Sequence, residues 1–184
     1  LGSNPGIDAG TAAINLKAGS FTQSADIKGG ALTVTGTAGA VDLGRTTNDV
    51  NSVAITNGSR AVTFGDADDV TVMGISGGAI TLTAGTINQT GATGIISGTT
   101  LEVTGTAGPI SLDRQNAVTN FKASNGNRPV TFTDADALVL TGVTGGAITV
   151  TVGGNLTQTA PVQGTSLTVN SSAGDVVLED AANS

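Results

Sequence analysis

Short runs of alternating apolar and polar residues cover most of the chain. An apolar side chain recurs at every second position, and Thr, Ser, Asp or Glu usually stands between two of them, as in Ile80–Leu82 and Val130–Phe132. A period of two with many β-branched residues is typical of β-strands. Gly-Gly, Gly-Thr, Asn-Gly and Asp-Ala-Asp between the runs are turn sequences. We therefore predict many short strands joined by tight corners, and no helix, because no segment sustains a period of 3.6.

Longer segments of the chain recur at a nearly constant spacing. Three multi-residue segments return 68 or 69 positions later in the same order: residues 32–39 at 101–108, 57–68 at 125–136, and 77–83 at 145–151. A third copy of the Leu-x-Val element of the first segment appears as Leu167-Thr168-Val169. Such self-similarity indicates a repeat architecture. The sequence predicts a single segment, 1–184, made of repeats at about 10–76, 77–144 and, in part, 145–184.

Two all-β architectures fit short strands with regular turns: an antiparallel sandwich and a parallel β-solenoid. Sandwich cores usually contain large aromatic anchors, whereas this chain has neither Trp nor Tyr. A 68-residue unit is also shorter than a sandwich domain of about 100 residues. It fits three or four coils of about 20 residues, each stacked on the next. We predict an all-β, right-handed parallel β-solenoid (β-helix) of about nine coils, forming a rod about 40 Å long.

A family resemblance points the same way. The segments Gly78-Ala79-Ile80-Thr81-Leu82-Thr83-Ala84-Gly85-Thr86-Ile87 and Gly153-Gly154-Asn155-Leu156-Thr157 resemble the stem of filamentous-haemagglutinin-type adhesins. Similar Gly/Thr/Ala repeats occur in autotransporter passengers, which are β-helices at the bacterial surface. The resemblance extends over nearly the whole chain. It implies a long β-helix exported by a bacterium through two-partner secretion, with glycans or proteins on host or neighbouring cells as its partners.

The composition excludes several kinds of active site. Without Cys or His the chain has no thiol nucleophile, no disulfide, no imidazole base and no soft-ligand zinc or haem site. The net charge of -7 argues against broad binding to nucleic acid or anionic lipid. No apolar run approaches the roughly 20 residues of a membrane-spanning helix. We therefore expect no enzymatic activity, no cofactor, no nucleic-acid partner and no insertion into a membrane.

The clearest polar clusters are two acidic turns. Asp66 and Asp68 recur as Asp134 and Asp136, and carboxylates at this spacing are candidate ligands for Ca²⁺, which prefers oxygen. The alternative is that these aspartates cap the backbone of the turn through Asx-type hydrogen bonds. This alternative is favoured, because the chain lacks both the glycine-rich calcium-binding nonapeptide and the EF-hand loop pattern.

Four arginines also recur in pairs. Arg60 and Arg128 precede the acidic turns, and Arg45 and Arg114 occupy matching positions earlier in each repeat. An arginine among carboxylates is a candidate for binding an acidic sugar, as in a polysaccharide-modifying solenoid. A corner salt bridge explains the same residues more simply. Catalytic sites in solenoid enzymes are single, whereas these features come in copies, so the sequence favours a structural role.

Ice binding is the other alternative function. Threonine pairs of the form Thr-x-Thr occur at four places, namely Thr33/Thr35, Thr81/Thr83, Thr131/Thr133 and Thr149/Thr151. An ice-binding solenoid needs one such pair in every coil on one flat side. The spacing between these pairs is too irregular for that array. The threonines are explained by their preference for strands.

A solenoid buries its core only between neighbouring coils, so its first and last coils expose apolar residues and unpaired backbone groups. The sequence shows no capping element at either end. It therefore favours a window of a longer repetitive protein, or coils that associate end to end into a fibre. The prediction for function is a structural or adhesive segment of a large secreted or cell-surface bacterial protein, acting as a rigid stalk or an extracellular fibre subunit.

Overall fold

The computed structural model describes residues 6–91 and 93–184, which form a β-solenoid. All pairings in its single 18-stranded sheet are parallel. The strands are β1 (Ile7–Asp8), β2 (Ile14–Ala18), β3 (Phe21–Thr22), β4 (Ile27–Gly36), β5 (Val41–Leu43), β6 (Asp49–Thr56), β7 (Val62–Gly65), β8 (Val70–Ser76), β9 (Ala79–Ala84), β10 (Ile87–Gln89), β11 (Ile96–Gly105), β12 (Ile110–Ser124), β13 (Val130–Asp134), β14 (Leu138–Thr144), β15 (Ala147–Val152), β16 (Leu156–Gln163), β17 (Ser166–Ser171) and β18 (Val176–Val177). No helix occurs in the described ranges. The predicted all-β parallel solenoid is confirmed, and the antiparallel sandwich is excluded.

Side chains of successive coils stack on one another in columns that run along the axis of the solenoid. Column I consists of Phe21, Val41, Val62, Ile80, Leu101, Phe121, Leu140 and Gln158. Its members are 18 to 21 residues apart, so each turn of the backbone takes about 20 residues. Eight stacked positions correspond to about eight coils, one fewer than predicted, and to a rod about 40 Å long at the usual strand spacing.

Because apolar and polar residues alternate along each strand, the apolar side chains point into the rod and the polar side chains between them point outward. The buried apolar residues form one cluster that runs from Ile14 to Val162. Phe64 and Phe132, which occupy matching positions in two repeats, are fully buried. Phe132 stacks on Phe121, with 4.0 Å between ring centroids and 10° between ring planes. The core is therefore continuous between repeats and is not divided into separate domains.

Corresponding residues of successive repeats lie on different sides of the rod. Val62 belongs to column I, whereas its counterpart 68 positions later, Val130, belongs to column II. Column II consists of Val70, Ile87, Ile110, Val130, Ile148 and Leu167. Between Val62 and Phe121, which both belong to column I, the chain completes three coils. It then passes to the next side of the rod before it reaches Val130, which belongs to column II. A spacing of 68 residues is thus three coils and one further side.

Candidate functional site: polar clamps between coils

A buried pair of amide side chains joins neighbouring coils, and we call this pair the Gln–Asn clamp. Gln89 Nε2 donates to Asn116 Oδ1 at 2.6 Å, and Asn116 Nδ2 donates back to Gln89 Oε1 at 3.3 Å. Asn116 Oδ1 also accepts from the Ile96 amide at 2.8 Å. Its Nδ2 donates to the carbonyls of Leu112 at 3.2 Å and Thr133 at 2.9 Å. One fully buried side chain therefore connects three successive coils.

The clamp occurs in three copies. In the first, Gln23 Nε2 donates to Asn48 Oδ1. Asn48 Nδ2 donates to Gln23 Oε1 at 3.2 Å and to the Gly65 carbonyl of the next coil at 2.9 Å. In the third, Gln158 and Asn183 exchange hydrogen bonds of 2.9 and 3.0 Å. Sequence reasoning missed the clamps, although their glutamines and asparagines recur with nearly the same spacing as the repeat.

The acidic turns form a second kind of clamp, which we call the Asp clamp. Asp66 Oδ1 accepts from the Asp68 amide at 3.3 Å, which is the Asx-type bond that the sequence favoured. Its Oδ2 accepts from the Val50 amide of the previous coil at 3.1 Å. Asp134 repeats both contacts, with the amides of Asp136 at 3.0 Å and Val118 at 3.0 Å. The capping interpretation is confirmed, and the contact to the previous coil is an addition that the sequence did not reveal.

The four calcium candidates, Asp66, Asp68, Asp134 and Asp136, divide into two buried and two exposed residues. Asp66 and Asp134 are both 2 % exposed, whereas Asp68 and Asp136 lie on the surface. Within residues 6–91 and 93–184, no group of three or more His, Cys, Asp or Glu is placed to hold a metal ion. Calcium binding at these four residues stays the alternative that the sequence did not favour.

Burial changes the protonation of the Asp clamps. It raises the pKa of Asp66 from 3.8 to about 7, because loss of solvent destabilises the carboxylate more than the two amide hydrogen bonds stabilise it. The neighbouring Asp68 carboxylate acts in the same direction. Burial also raises the pKa of Asp134, with a contribution from Asp136. Both clamps therefore favour the protonated carboxyl group.

The folded protein is expected to become less stable as the pH rises from about 4 to about 7. A carboxyl group whose pKa is higher in the folded than in the unfolded chain contributes stability that is fully present below the unfolded pKa, 3.8 for Asp66, and is lost as the pH passes the folded value of about 7. Urea unfolding at pH 5 and at pH 8 measures the difference. The variant Asp66→Asn, which cannot titrate, should show a smaller difference, and the exposed Asp42→Asn should match the parent protein.

The four repeated arginines have different surroundings. Arg45 Nε lies 2.7 Å from Asp26 Oδ1, and Arg114 Nε lies 3.6 Å from Asp113 Oδ1, so the predicted corner salt bridges exist for these two. Hydrogen bonds from Thr47 and Arg45 lower the pKa of Asp26. For Arg60 and Arg128 that prediction is wrong, since neither forms an ion pair within the described part of the chain.

The threonine pairs do not share one side of the rod. Thr131 and Thr133 stack directly on Thr149 and Thr151 of the next coil, beside column II. The pair at Thr81 lies on β9, beside column I, and faces a different direction. An ice-binding surface requires one continuous array, so this arrangement does not favour it.

Two further buried asparagines pack against glycines of the previous coil. Asn57 and Asn125 each precede a glycine with a positive φ, of 57° and 55°, which forms the corner. Nδ2 of Asn125 donates to the Pro129 carbonyl at 2.7 Å, but its Oδ1 is buried without a conventional partner, as is that of Asn57. A Cβ atom on Gly105 would lie 2.0 Å from Asn125 Oδ1. The Asn125 Oδ1 atom therefore lies against the Cα of Gly105, in a position suited to accept a weak C–H···O hydrogen bond.

A family model described as repeats of unknown function matches residues 59–124 and 127–184. The two matches cover most of the chain and begin at corresponding corner residues, Ser59 and Asn127. No curated protein and no solved structure matched the chain. The described residues include no helix of the length and apolarity needed to cross a membrane.

Proposed function

Because the chain belongs to the DUF5649 repeat family and its repeats stack in one continuous solenoid, we propose that it is a rigid, rod-like structural segment of a large secreted or cell-surface bacterial protein. The observation that carries the proposal is the parallel ladder that surrounds one continuous core from Ile14 to Val162. Each coil rests on the coil before it, so the length of the rod follows from the number of coils.

The clamps support a rod that resists bending and unwinding. Surface hydrogen bonds compete with water, but the bonds of Asn116 and Asp134 are buried and fix one coil relative to the next. Their recurrence shows that the same connection is built into each repeat. A segment made in this way suits a spacer or stalk, whose purpose is to hold other parts of a protein at a fixed distance.

The proposed location and adhesive role rest on the sequence. The likeness to filamentous-haemagglutinin-type stems supports export by two-partner secretion and attachment to glycans or proteins on other cells. The absence of Cys is compatible with an extracellular protein. Antibodies against this chain should label intact cells that produce the full-length protein. Labelling only after the cells are permeabilised would contradict the proposed location.

Adding a repeat should lengthen the rod by a fixed increment. Duplication of residues 77–144 inserts 68 residues, or three coils and one further side, and should add about 16 Å without a change in cross-section. Small-angle X-ray scattering gives both the maximum dimension and the cross-sectional radius. Growth in cross-section rather than in length would contradict the proposed function.

A further inference from the structure

We infer that Asn57 and Asn125 are latent self-modification sites, which the closed coils protect and whose reaction makes the opening of a coil irreversible. Each asparagine precedes a glycine, Gly58 or Gly126, at a corner that occurs in both repeats. An Asn-Gly pair can lose ammonia and become aspartate or isoaspartate without an enzyme. Both corners lie inside the chain, and the inference does not depend on the proposed cellular location.

The reaction begins with the backbone nitrogen that follows the asparagine. The Gly58 nitrogen gives up its proton and bonds to Asn57 Cγ, while the bond between Cγ and Nδ2 breaks and ammonia leaves. Water then opens the resulting cyclic imide at either of its carbonyls, which yields aspartate or isoaspartate. Glycine has no Cβ to hinder this attack, and asparagine is among the chemically labile residues of proteins. The unfolded chain is therefore expected to react at both Asn-Gly pairs.

The fold holds both side chains away from this reaction. Asn57 and Asn125 are 0 % exposed, so water does not reach them. Nδ2 of Asn57 donates to the Ala61 carbonyl at 2.8 Å, and Nδ2 of Asn125 donates to the Pro129 carbonyl at 2.7 Å. The departure of ammonia would break these buried bonds, so the closed corner retains the nitrogen that has to leave.

The buried side-chain oxygen is a second obstacle. Oδ1 gains negative charge when the glycine nitrogen attacks Cγ, and hydrogen-bond donors are what stabilise such a charge. Oδ1 of Asn57 and Oδ1 of Asn125 have no conventional donor, and they lie against the Cα atoms of Gly36 and Gly105 in the previous coil. Attack in the closed coil would place an unpaired charge in the core. The reaction therefore requires the coil to open.

The product does not fit the closed corner. Aspartate in place of Asn125 would turn a carboxylate oxygen towards the Pro129 carbonyl, where the Nδ2 donor now lies. The buried Asp134, by contrast, accepts hydrogen bonds from two backbone amides. Isoaspartate also lengthens the backbone by one carbon, in a corner closed by the 3.1 Å hydrogen bond from the Arg128 amide to the Asn125 carbonyl. A coil that reacts while it is open is thus prevented from closing again.

Peptide mass spectrometry of the parent protein measures the reaction directly. The protein is incubated at pH 8 with and without urea, and tandem spectra locate each asparagine whose amide has become a carboxyl group. Asn57 and Asn125 should convert roughly 100-fold more slowly in the folded protein than in the unfolded chain, because only rare openings expose them. Equal rates in the two states, or no conversion in urea, would contradict the inference.

Refolding shows whether the closed coil excludes the product. Protein aged in urea is diluted into buffer, and size-exclusion chromatography separates refolded rods from chains that fail to fold. The refolded rods should retain the amides of Asn57 and Asn125, and the chains converted there should collect in the other fraction. Asn51 is the internal control, because it is exposed on β6, and its converted form should divide equally between the fractions. Refolded rods that carry the product at Asn57 and Asn125 as often as at Asn51 would overturn the inference.

Two variants test the product without the ageing step. Asn57→Asp should unfold at a lower urea concentration than the parent protein or fail to fold, because its carboxylate has no donor in the core. Asn51→Asp, the matched control in the same coil, should unfold as the parent does. An Asn57→Asp protein as stable as Asn51→Asp would show that the closed coil accepts the product, and the inference would then fail.

Discussion

Replacing Gly105 with alanine is expected to lower the free energy of unfolding by about 3 kcal/mol. The new Cβ would lie 2.0 Å from Asn125 Oδ1 and 3.2 Å from Ile110 Cγ1. Asn125 has little room to move, because it is fully buried and its Nδ2 bonds to the Pro129 carbonyl. Two adjacent coils would have to separate at a point where the core is closely packed. Equilibrium unfolding in urea measures the loss.

Gly19→Ala is the matched control for this change. A Cβ on Gly19 would meet only the Ala38 Cβ, at an ordinary distance of 3.6 Å, so its effect should stay within about 0.5 kcal/mol. The double variant Gly105→Ala, Asn125→Ala should lose less stability than the sum of the two single losses, because the second change removes the atom in conflict. Strictly additive losses in the double variant would contradict the proposed contact.

Replacing Asn116 with leucine is expected to cost about 4 kcal/mol or more. Leucine has a similar volume but removes the acceptor of the buried Ile96 amide and the side-chain donor to the carbonyls of Leu112 and Thr133. Gln89 would also lose its reciprocal bonds. Each unsatisfied buried group carries a desolvation penalty, and the penalties fall on three coils at once.

Asn183→Leu provides the comparison within the same protein. Asn183 belongs to the same clamp but is only partly buried, and water can reach the groups that it leaves unpaired. Its replacement should cost about 1 kcal/mol. Equal losses at the two positions would indicate that burial between coils is not what makes the clamp important. Urea unfolding measures both losses of stability, and an unchanged slope of the unfolding free energy against urea shows that the variants unfold as the parent does.

The fold could be predicted because the information for it is local and repeated. Alternation such as Ile80–Leu82 identifies strands, glycine-containing corners separate them, and the 68-residue spacing shows that the unit stacks. The absence of Trp and Tyr then favoured a solenoid over a sandwich. The structure confirms each of these steps with parallel pairing throughout.

The clamps could not be predicted because they depend on which coil lies above which. Gln89 and Asn116 are 27 residues apart, which is more than one coil, and they belong to no recognised sequence motif. Their contact follows from the exact number of residues in each coil, which alternation does not give. The sequence correctly identified Asp66 as a turn residue that accepts a hydrogen bond from a nearby backbone amide, that of Asp68. Its bond to the Val50 amide depends on which residues of neighbouring coils lie side by side, and the sequence does not give that.

The advance of one side per repeat has a consequence for long arrays. Because Val62 and Val130 lie on different sides of the rod, a given corner, such as that of Arg60, faces a new direction in the next repeat. The direction in which one repeat bends most easily therefore differs from that of the next repeat. A long array of such repeats would have no single direction of easy bending and would present each surface group on more than one side.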